Sequence, residues 1–304
     1  MTFARSAFGA SAPILVAVAL RGDDQPPVAL GRRLARVTGA PVVLATILDD
    51  DEDGAAPDAA LEVIAAPLRT EHEVSVRTFR APTATAGLRA LACVEAPAAL
   101  VIGSTRNRRL RRDTPEGVTA WSLRGTPCAL AIAPRGACDH EAPLRRIGAA
   151  FADSGEGHDV VAAAVELATL AGGSVRVLTT LEPQGVEPGR RALDGVDERE
   201  RAFAALISRR GRRLVPVELR VGHDDEVLVG HPAEALGCVS NEVDLLVCGT
   251  HGLGSSHDTS GPLIGLESHD VVDDAFCAVL LVPGPDGSDP APPPAPASAT
   301  FVTK

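Results

Sequence analysis

The chain has 304 residues, enough for two ordinary domains that each bury a core. Hydrophobic residues make up 45% of the chain but aromatic residues only 3%, which favours helices packed on parallel strands and speaks against base stacking on aromatic side chains. The 40 acidic residues outnumber the 29 basic ones, and the net charge of −11 argues against a general attraction to nucleic acid or to anionic membranes.

Apolar runs alternate with helical periodicities through the first half of the chain, after a loose leader at residues 1–12. Five strands are predicted, at residues 14–20, 41–48, 74–79, 99–102 and 128–133. Four helices are predicted between them, at residues 28–37, 59–68, 85–94 and 115–123. A helix between successive strands is typical of a parallel sheet, because each parallel strand needs a crossover connection.

The same order begins again after a linker at residues 135–144. Strands are predicted at residues 147–152, 175–181, 214–221, 245–248 and 277–282. Helices are predicted at residues 160–170, 198–209, 232–239 and from about 265 onward. Residues 284–304 are rich in Pro and Ala and are predicted to be a disordered tail. The sequence therefore predicts two tandem α/β domains, residues 13–134 and 145–283, each a doubly wound parallel sheet of five strands.

The loop that follows the fourth strand of the second half is the best candidate for a binding site. Its glycines, Gly249, Gly252 and Gly254, leave backbone N–H groups uncovered, and such groups beside a helix N-terminus can hold a phosphate. In doubly wound sheets ligands bind at the carboxyl ends of the strands where the strand order reverses, and this loop is placed to reach that point. Glycines also serve only to turn the chain, so a purely structural role stays open.

Several segments carry a resemblance to a known family. They are the strand openings ILVAVAL and RIGAAFADS, the segment GHPAEAL before DLLVCGTHG, and the strand endings PCALAIAP and FCAVLLVP. On these residues the chain resembles a tandem universal stress protein with two UspA-like domains. The resemblance implies the Rossmann-like fold of the adenine nucleotide alpha hydrolases.

The resemblance also implies a ligand, because ATP-binding members of the family carry a pattern of Gly, two residues, Gly, nine residues, Gly and Ser or Thr after strand four. The second half keeps Gly249, Gly252 and Gly265, although twelve residues separate the last two and Leu266 follows. We therefore expect ATP or another adenine nucleotide in the second half. The residues expected at its phosphates are Gly249, His251, Gly252, Gly254 and Gly265.

The family pattern also has an Asp at the end of the first strand. Ala152 stands at that position, and the adjacent Asp153 is expected near the ribose or base. The first half departs further, since Ala19 replaces this Asp and Arg106 replaces the second Gly of the loop. Glu116 adds a negative charge near the same anion, so the first site is predicted to be lost.

Three classes of function follow from these patterns. The first is a non-enzymatic stress-response or regulatory module, with no catalytic residues and no metal site. The second is a ligand-free scaffold that binds a protein partner through the Arg-rich loop 106–112 or the loop 182–195. The third is an enzyme that hydrolyses ATP slowly or transfers a nucleotidyl group, although the chain lacks the Gly-Lys-Ser/Thr of a phosphate-binding P-loop.

The compartment and assembly can also be predicted. The six cysteines form no CxxC pair and the apolar run 14–20 is too short to span a bilayer, so we expect a cytoplasmic protein with reduced thiols and no membrane partner. The last strands of the two halves resemble the edges through which this family pairs its domains. That pairing can be internal to the tandem chain, and a homodimer is the alternative.

Overall fold

The computed structural model of the protein describes ten segments of the chain. They are residues 8–9, 11–20, 24–48, 55–104, 126–134, 142–181, 197–222, 227–249, 271–272 and 275–283. These residues form two compact units, one within Arg5–Ala142 and the other within Pro143–Pro285. Within the segments above there are ten strands and six α-helices, and the predicted α/β class with parallel sheets is confirmed.

The first unit alternates strands with helices around a five-stranded sheet. In chain order its elements are β1 (Ile14–Ala17), α1 (Gln25–Thr38), β2 (Val42–Leu48), α2 (Ala55–Leu68), β3 (Val74–Arg80), α3 (Ala84–Glu95), β4 (Ala99–Gly103) and β5 (Ala129–Ala133). The strand order is β3-β2-β1-β4-β5, and every pair is parallel. The strands β1, β4 and β5 are buried almost throughout, which is why they read in the sequence as continuous apolar runs.

The second unit repeats this arrangement. Its elements are β6 (Arg146–Ala150), α4 (Gly155–Ala171), β7 (Ser174–Leu181), α5 (Glu198–Leu214), β8 (Val227–Val229), α6 (Pro232–Val239), β9 (Leu245–Gly249) and β10 (Ala278–Val282). The strand order is β10-β9-β6-β7-β8, again with parallel pairs. A short 3-10 helix, Val217–Leu219, follows α5.

In both sheets the chain order reverses between the first and the fourth strand. The first unit places β1 beside β4, with Ile14 opposite Ala99, and continues to β2 and β3 on the other side. The second unit places β6 beside β9, with Ile147 opposite Leu245. The carboxyl ends of β6 and β9 therefore flank the crevice in which a ligand of such a sheet binds.

One prediction about the second unit is wrong. The alternating residues 214–221 do not form the third strand, because α5 continues to Leu214 and the backbone N–H of Leu219 then donates to the carbonyl of Pro216 within the 3-10 turn. Val217, predicted as part of that strand, is 73% exposed. On the side of β7 away from β6 the pairing strand is β8, and residues 214–221 contribute only an isolated bridge from Arg220 to Val175.

Smaller differences concern strand ends. The first strand ends at Ala17 and not at residue 20, because the N–H groups of Ala19 and Leu20 donate to the carboxylate of Asp24. The predicted helix at 115–123, most of the leader and the tail lie outside the described residues, and of the helix predicted from about 265 only residues 271–272 are described, as helical. None of the helices in the described segments combines the length and apolarity that a membrane crossing requires.

Candidate functional site

The candidate site is the carboxyl edge of the second sheet, where β6 and β9 end side by side. The chain leaves β6 after Ala150 and makes a short turn before α4 begins at Gly155. The hydroxyl of Ser154 accepts a hydrogen bond from the N–H of Gly157 at 3.1 Å and thereby caps α4. The first turn of α4 thus lies directly after the strand that borders the crevice.

Gly157 is required where this turn meets the helix. A side chain at position 157 would place its Cβ 1.9 Å from the carbonyl oxygen of Ala152, which no real Cβ tolerates. The N–H of Ser154 also donates to that carbonyl at 2.8 Å. The end of β6 and the N-terminus of α4 are therefore held in close contact by backbone atoms.

Glu156, in the first turn of α4, reaches across the crevice to the end of β9. A Cβ built on Gly249 would lie 2.4 Å from the Cδ of Glu156 and 2.6 and 2.7 Å from its two carboxylate oxygens. The carboxylate therefore lies against the face of Gly249 that carries no side chain. A side chain at position 249 would displace this carboxylate, and a negative group therefore fills the place where the loop was predicted to receive a phosphate.

Cys248, the residue before Gly249, is buried and shows that the protein is apolar beneath the Glu156 carboxylate. Burial raises the pKa of the Cys248 thiol far above its usual range, and the neighbouring Cys277 and Glu156 raise this pKa further. Cys248 is 2% exposed. At neutral pH the thiol is protonated, so Cys248 packs as a small apolar side chain and does not act as a nucleophile.

Asp153 lies in the turn after β6 but is engaged by side chains of the neighbouring helices. Its carboxylate forms an ion pair with the guanidinium of Arg210 on α5, and the Nε2 of His158 lies 3.7 Å from its Oδ1. The ring of His158 stacks on Phe151 with centroids 5.9 Å apart and planes within 6°. Asp153 is thus fixed by a cation and stands beside a small aromatic stack.

The structure places two of the predicted site residues at this edge. Gly249 ends β9, and Asp153 follows the neighbouring strand β6. His251, Gly252, Gly254 and Gly265 lie outside the described residues. Among the described residues no group of three or more His, Cys, Asp and Glu side chains is arranged to hold a metal ion.

Sequence reasoning missed Glu156, Arg210 and Phe151 as members of this edge. Glu156 gave only the general signal of an acidic residue in the first turn of a helix, which also occurs wherever the helix dipole is balanced. Arg210 stands in an Arg-rich stretch of α5, and nothing in its spacing points to Asp153. The contact of Glu156 with Gly249 and the contact of Arg210 with Asp153 both depend on the order of the strands in the sheet.

The equivalent edge of the first unit is built differently. The fourth strand again ends in a glycine, but a Cβ on Gly103 would lie 3.6 Å from the ring of Pro27 in the first turn of α1. Pro26 and Pro27 have no N–H group, so this helix N-terminus lacks two of its donors. Asp24 accepts from the N–H of Ala19 at 2.8 Å and of Leu20 at 2.9 Å, which occupies the donors of the turn after β1.

Comparison with known proteins bears first on the second unit. The family model described as the universal stress protein family matches residues 143–283, which contain β6 to β10 and the edge described above. Residues 143–283 form a universal stress protein domain. No curated protein matches the chain.

Several solved structures have a fold similar to that of this chain over most of its length. A protein from Pseudomonas aeruginosa UCBPP-PA14 that is assigned to the universal stress proteins has a TM-score of 0.62 at 20% identity, covering 91% of this chain and 95% of its own. A functionally unknown protein from Pseudomonas aeruginosa PAO1 has a TM-score of 0.61 at 20% identity, covering 92% and 95%. A universal stress protein from Archaeoglobus fulgidus DSM 4304 has a TM-score of 0.55 at 12% identity, covering 92% and 98%. At these identities the likeness shows the fold alone.

Proposed function

We propose that the protein is a non-enzymatic regulatory module of the universal stress type, and that its second unit binds an adenine nucleotide at the carboxyl edge of β6 and β9. The observation that carries this proposal is the meeting of Gly249 with the first turn of α4 where the strand order reverses. This is the place where doubly wound sheets receive ligands, and a helix N-terminus favours a negative group there. The match of residues 143–283 to the universal stress protein family supports the same assignment.

The carboxylate of Glu156 supports the anion-accepting character of this place. It is a negative group from the chain itself, and it lies on the bare face of Gly249 beside the start of α4. A phosphate that binds there takes the place of this carboxylate. The stacked rings of Phe151 and His158 and the nearby Asp153 offer apolar and polar groups for the nucleoside part of the ligand.

The first unit is proposed to have a structural role and no nucleotide site. The N–H groups of Ala19 and Leu20 after β1 already donate to Asp24, and Pro26 and Pro27 in the first turn of α1 have no N–H. A non-enzymatic role of the second unit is supported by the state of its reactive groups, since Cys248 is a buried thiol with a raised pKa and Asp153 is paired with Arg210. The described cysteines are free thiols, which fits the reducing cytoplasm in which we place the protein.

The test has two stages. The protein is first purified without added nucleotide, denatured, and the released small molecules are identified by mass spectrometry. Calorimetric titration with ATP, ADP and adenosine then follows for the wild type and for Gly249→Val, with Gly103→Val as the matched control in the first unit. We expect binding that Gly249→Val abolishes and that Gly103→Val leaves unchanged.

A wild-type protein that releases no nucleotide and gives no binding heat at millimolar ligand would contradict the nucleotide proposal. The ligand-free scaffold would then be the better description of the protein. Turnover of ATP above the background rate, lost in Gly249→Val, would contradict the non-enzymatic part alone.

A further inference from the structure

We infer that Glu156 is an internal competitor for phosphate that determines which ligands the second unit accepts. Its carboxylate occupies the bare face of Gly249, so that the site excludes an anionic tail unless this side chain moves away. This inference rests on the proposed nucleotide-binding function and adds a specificity determinant to it. It predicts that the uncharged nucleoside adenosine and the anionic nucleotide ATP respond differently when the charge of Glu156 is removed.

The carboxylate of Glu156 lies directly against the end of β9. The distances of 2.4, 2.6 and 2.7 Å from a Cβ on Gly249 to the Cδ, Oε1 and Oε2 of Glu156 show that both carboxylate oxygens face the end of β9. The carboxylate also lies close enough to contribute to the raised pKa of Cys248. A phosphate cannot occupy the side of Gly249 that carries no side chain while the carboxylate is there.

The negative charge of Glu156 opposes the binding of a phosphate at this place. A carboxylate and a phosphate a few ångströms apart repel each other, and at a half-buried site this repulsion amounts to a factor of about ten or more in affinity. The helix dipole does not offset this effect, because it attracts the carboxylate and the phosphate alike and leaves their mutual repulsion in place. One of the donors of that turn is already taken, since the N–H of Gly157 is bound by Ser154.

The structure assigns this role to Glu156 and not to the acidic residues around it. Asp153 forms an ion pair with Arg210 on α5 and is not among the residues nearest to the Cβ position of Gly249. Asp159, on the same helix, has a pKa raised by burial and only partly lowered by His158, and it makes no contact with Gly249. Glu156 alone of the three lies on the glycine that ends β9.

The experiment compares the affinities of ATP and adenosine in charge-removing variants of the full chain. Glu156→Gln keeps the size of the side chain and removes its charge. Glu166→Gln removes the same charge from the same helix, ten residues further along, and serves as the matched control. Glu156→Asp keeps the charge and withdraws it from Gly249 by one methylene. Thermal unfolding of each variant checks that it is folded, and Glu156→Ala is the replacement if Glu156→Gln is not.

We expect Glu156→Gln to bind ATP at least about tenfold more tightly than the wild type, with adenosine changed by less than about twofold. Glu166→Gln should leave both affinities unchanged, and Glu156→Asp should stay closer to the wild type than to Glu156→Gln. An ATP affinity of Glu156→Gln equal to or below that of the wild type would overturn the inference. Equal tightening in Glu156→Gln and Glu156→Asp would also overturn it, because space and not charge would then be the cause.

The outcomes separate this inference from the function on which it rests. If the wild type binds ATP and Glu156→Gln binds it no better, Glu156 does not compete but the nucleotide function stands. If the wild type binds neither ligand and Glu156→Gln binds ATP, the native chain is not a nucleotide receptor although Glu156 does close the site. If no variant binds either ligand, both proposals fail.

Discussion

The substitution Asp244→Ala should destabilise the second unit by removing the residue that joins the starts of β6 and β9. The side chain of Asp244 is 9% exposed, and its Oδ2 accepts hydrogen bonds from the N–H of Arg146 at 2.7 Å and of Arg145 at 3.0 Å. Its Oδ1 accepts from the guanidinium of Arg146 at 2.6 Å. The carboxylate therefore links the starts of β6 and β9, the two strands between which the strand order reverses.

The magnitude follows from the exposure of the partners. Leaving a backbone N–H unsatisfied costs about 1–3 kcal/mol. The N–H of Arg145 also donates to the carbonyl of Pro143 at 3.0 Å, so only the N–H of Arg146 loses its acceptor, and because Arg146 is a surface residue that water can reach, the lower limit applies. The side chain of Arg146 is 61% exposed, so its ion pair adds only about 0.5 kcal/mol. We expect Asp244→Ala to lower the free energy of unfolding by about 1.5 kcal/mol, and Arg146→Gln, the control that removes only the ion pair, by about 0.5 kcal/mol.

The effect of Asp244 should also depend on pH. Burial raises the pKa of Asp244, but the hydrogen bonds from the side chain and backbone of Arg146 and from the backbone of Arg145 outweigh burial, and the pKa lies below its ordinary value. A carboxyl with a depressed folded-state pKa stabilises the fold above the ordinary aspartate pKa of about 3.9 and loses this contribution as pH falls through the lower folded-state value. The difference between wild type and Asp244→Ala should therefore be constant at neutral pH and shrink below about pH 4.

The assay is urea unfolding followed by circular dichroism, at pH 7 and at steps down to pH 3. Hydrogen exchange of peptides that cover residues 143–150 and 244–249 locates the change in the second unit. A loss for Asp244→Ala no larger than that for Arg146→Gln would refute the role of the backbone hydrogen bonds. A wild-type advantage that persists undiminished at pH 3 would refute the pKa argument.

Two further predictions test packing and thiol reactivity. Gly211→Ala should cost about 1–3 kcal/mol of unfolding free energy despite the better helix propensity of alanine, because its Cβ would lie 2.4 Å from the buried ring of Phe151. The control Gly103→Ala, whose Cβ would have its nearest contact at 3.6 Å, should change the unfolding free energy by less than about 0.5 kcal/mol. Thermal unfolding of both variants measures the difference. In the native protein at pH 8, iodoacetamide should modify the exposed cysteines and spare the buried ones, whose pKa is raised by burial, to about 11 for Cys128. Peptide mass mapping checks this, with Cys93 and Cys238 expected to react and Cys128 and Cys248 to stay unmodified until urea is added; modification of the second pair at the rate of the first would contradict the burial argument.

The fold class could be predicted from the sequence because the central strands are buried on both faces. A strand such as β4 or β9 reads as a continuous apolar run, and the helices between strands show their own period. The third strand of the second unit could not be predicted in the same way. Residues 214–221 have the alternation of a strand, but Pro216 supplies the carbonyl that closes a 3-10 turn, and the short strand β8 pairs through only three residues.

The candidate site could be predicted in part. The glycine at the end of β9 was identifiable because a glycine after a buried strand is a visible signal. The carboxylate on its bare face was not, because its position depends on the neighbours of β9 in the sheet and on the tight turn at Gly157. Asp153 was predicted next to the ligand, and its pairing with Arg210 could not be predicted, because that contact depends on where α5 packs.

The two units differ in how their equivalent edges are closed, and this difference predicts the stoichiometry of binding. The first unit lacks donors for a covalent reason, since Pro26 and Pro27 in the first turn of α1 have no N–H, and Asp24 accepts from the N–H groups of Ala19 and Leu20. In the second unit, among the described residues, it is the carboxylate of Glu156 that lies on the face of Gly249 where we propose that a phosphate binds. At saturation we therefore expect one adenine nucleotide per chain in the wild type and still one in Glu156→Gln, measured by calorimetry or by native mass spectrometry. Two nucleotides per chain would show that the first unit also binds a nucleotide. The missing N–H donors at its edge would then not determine whether it binds.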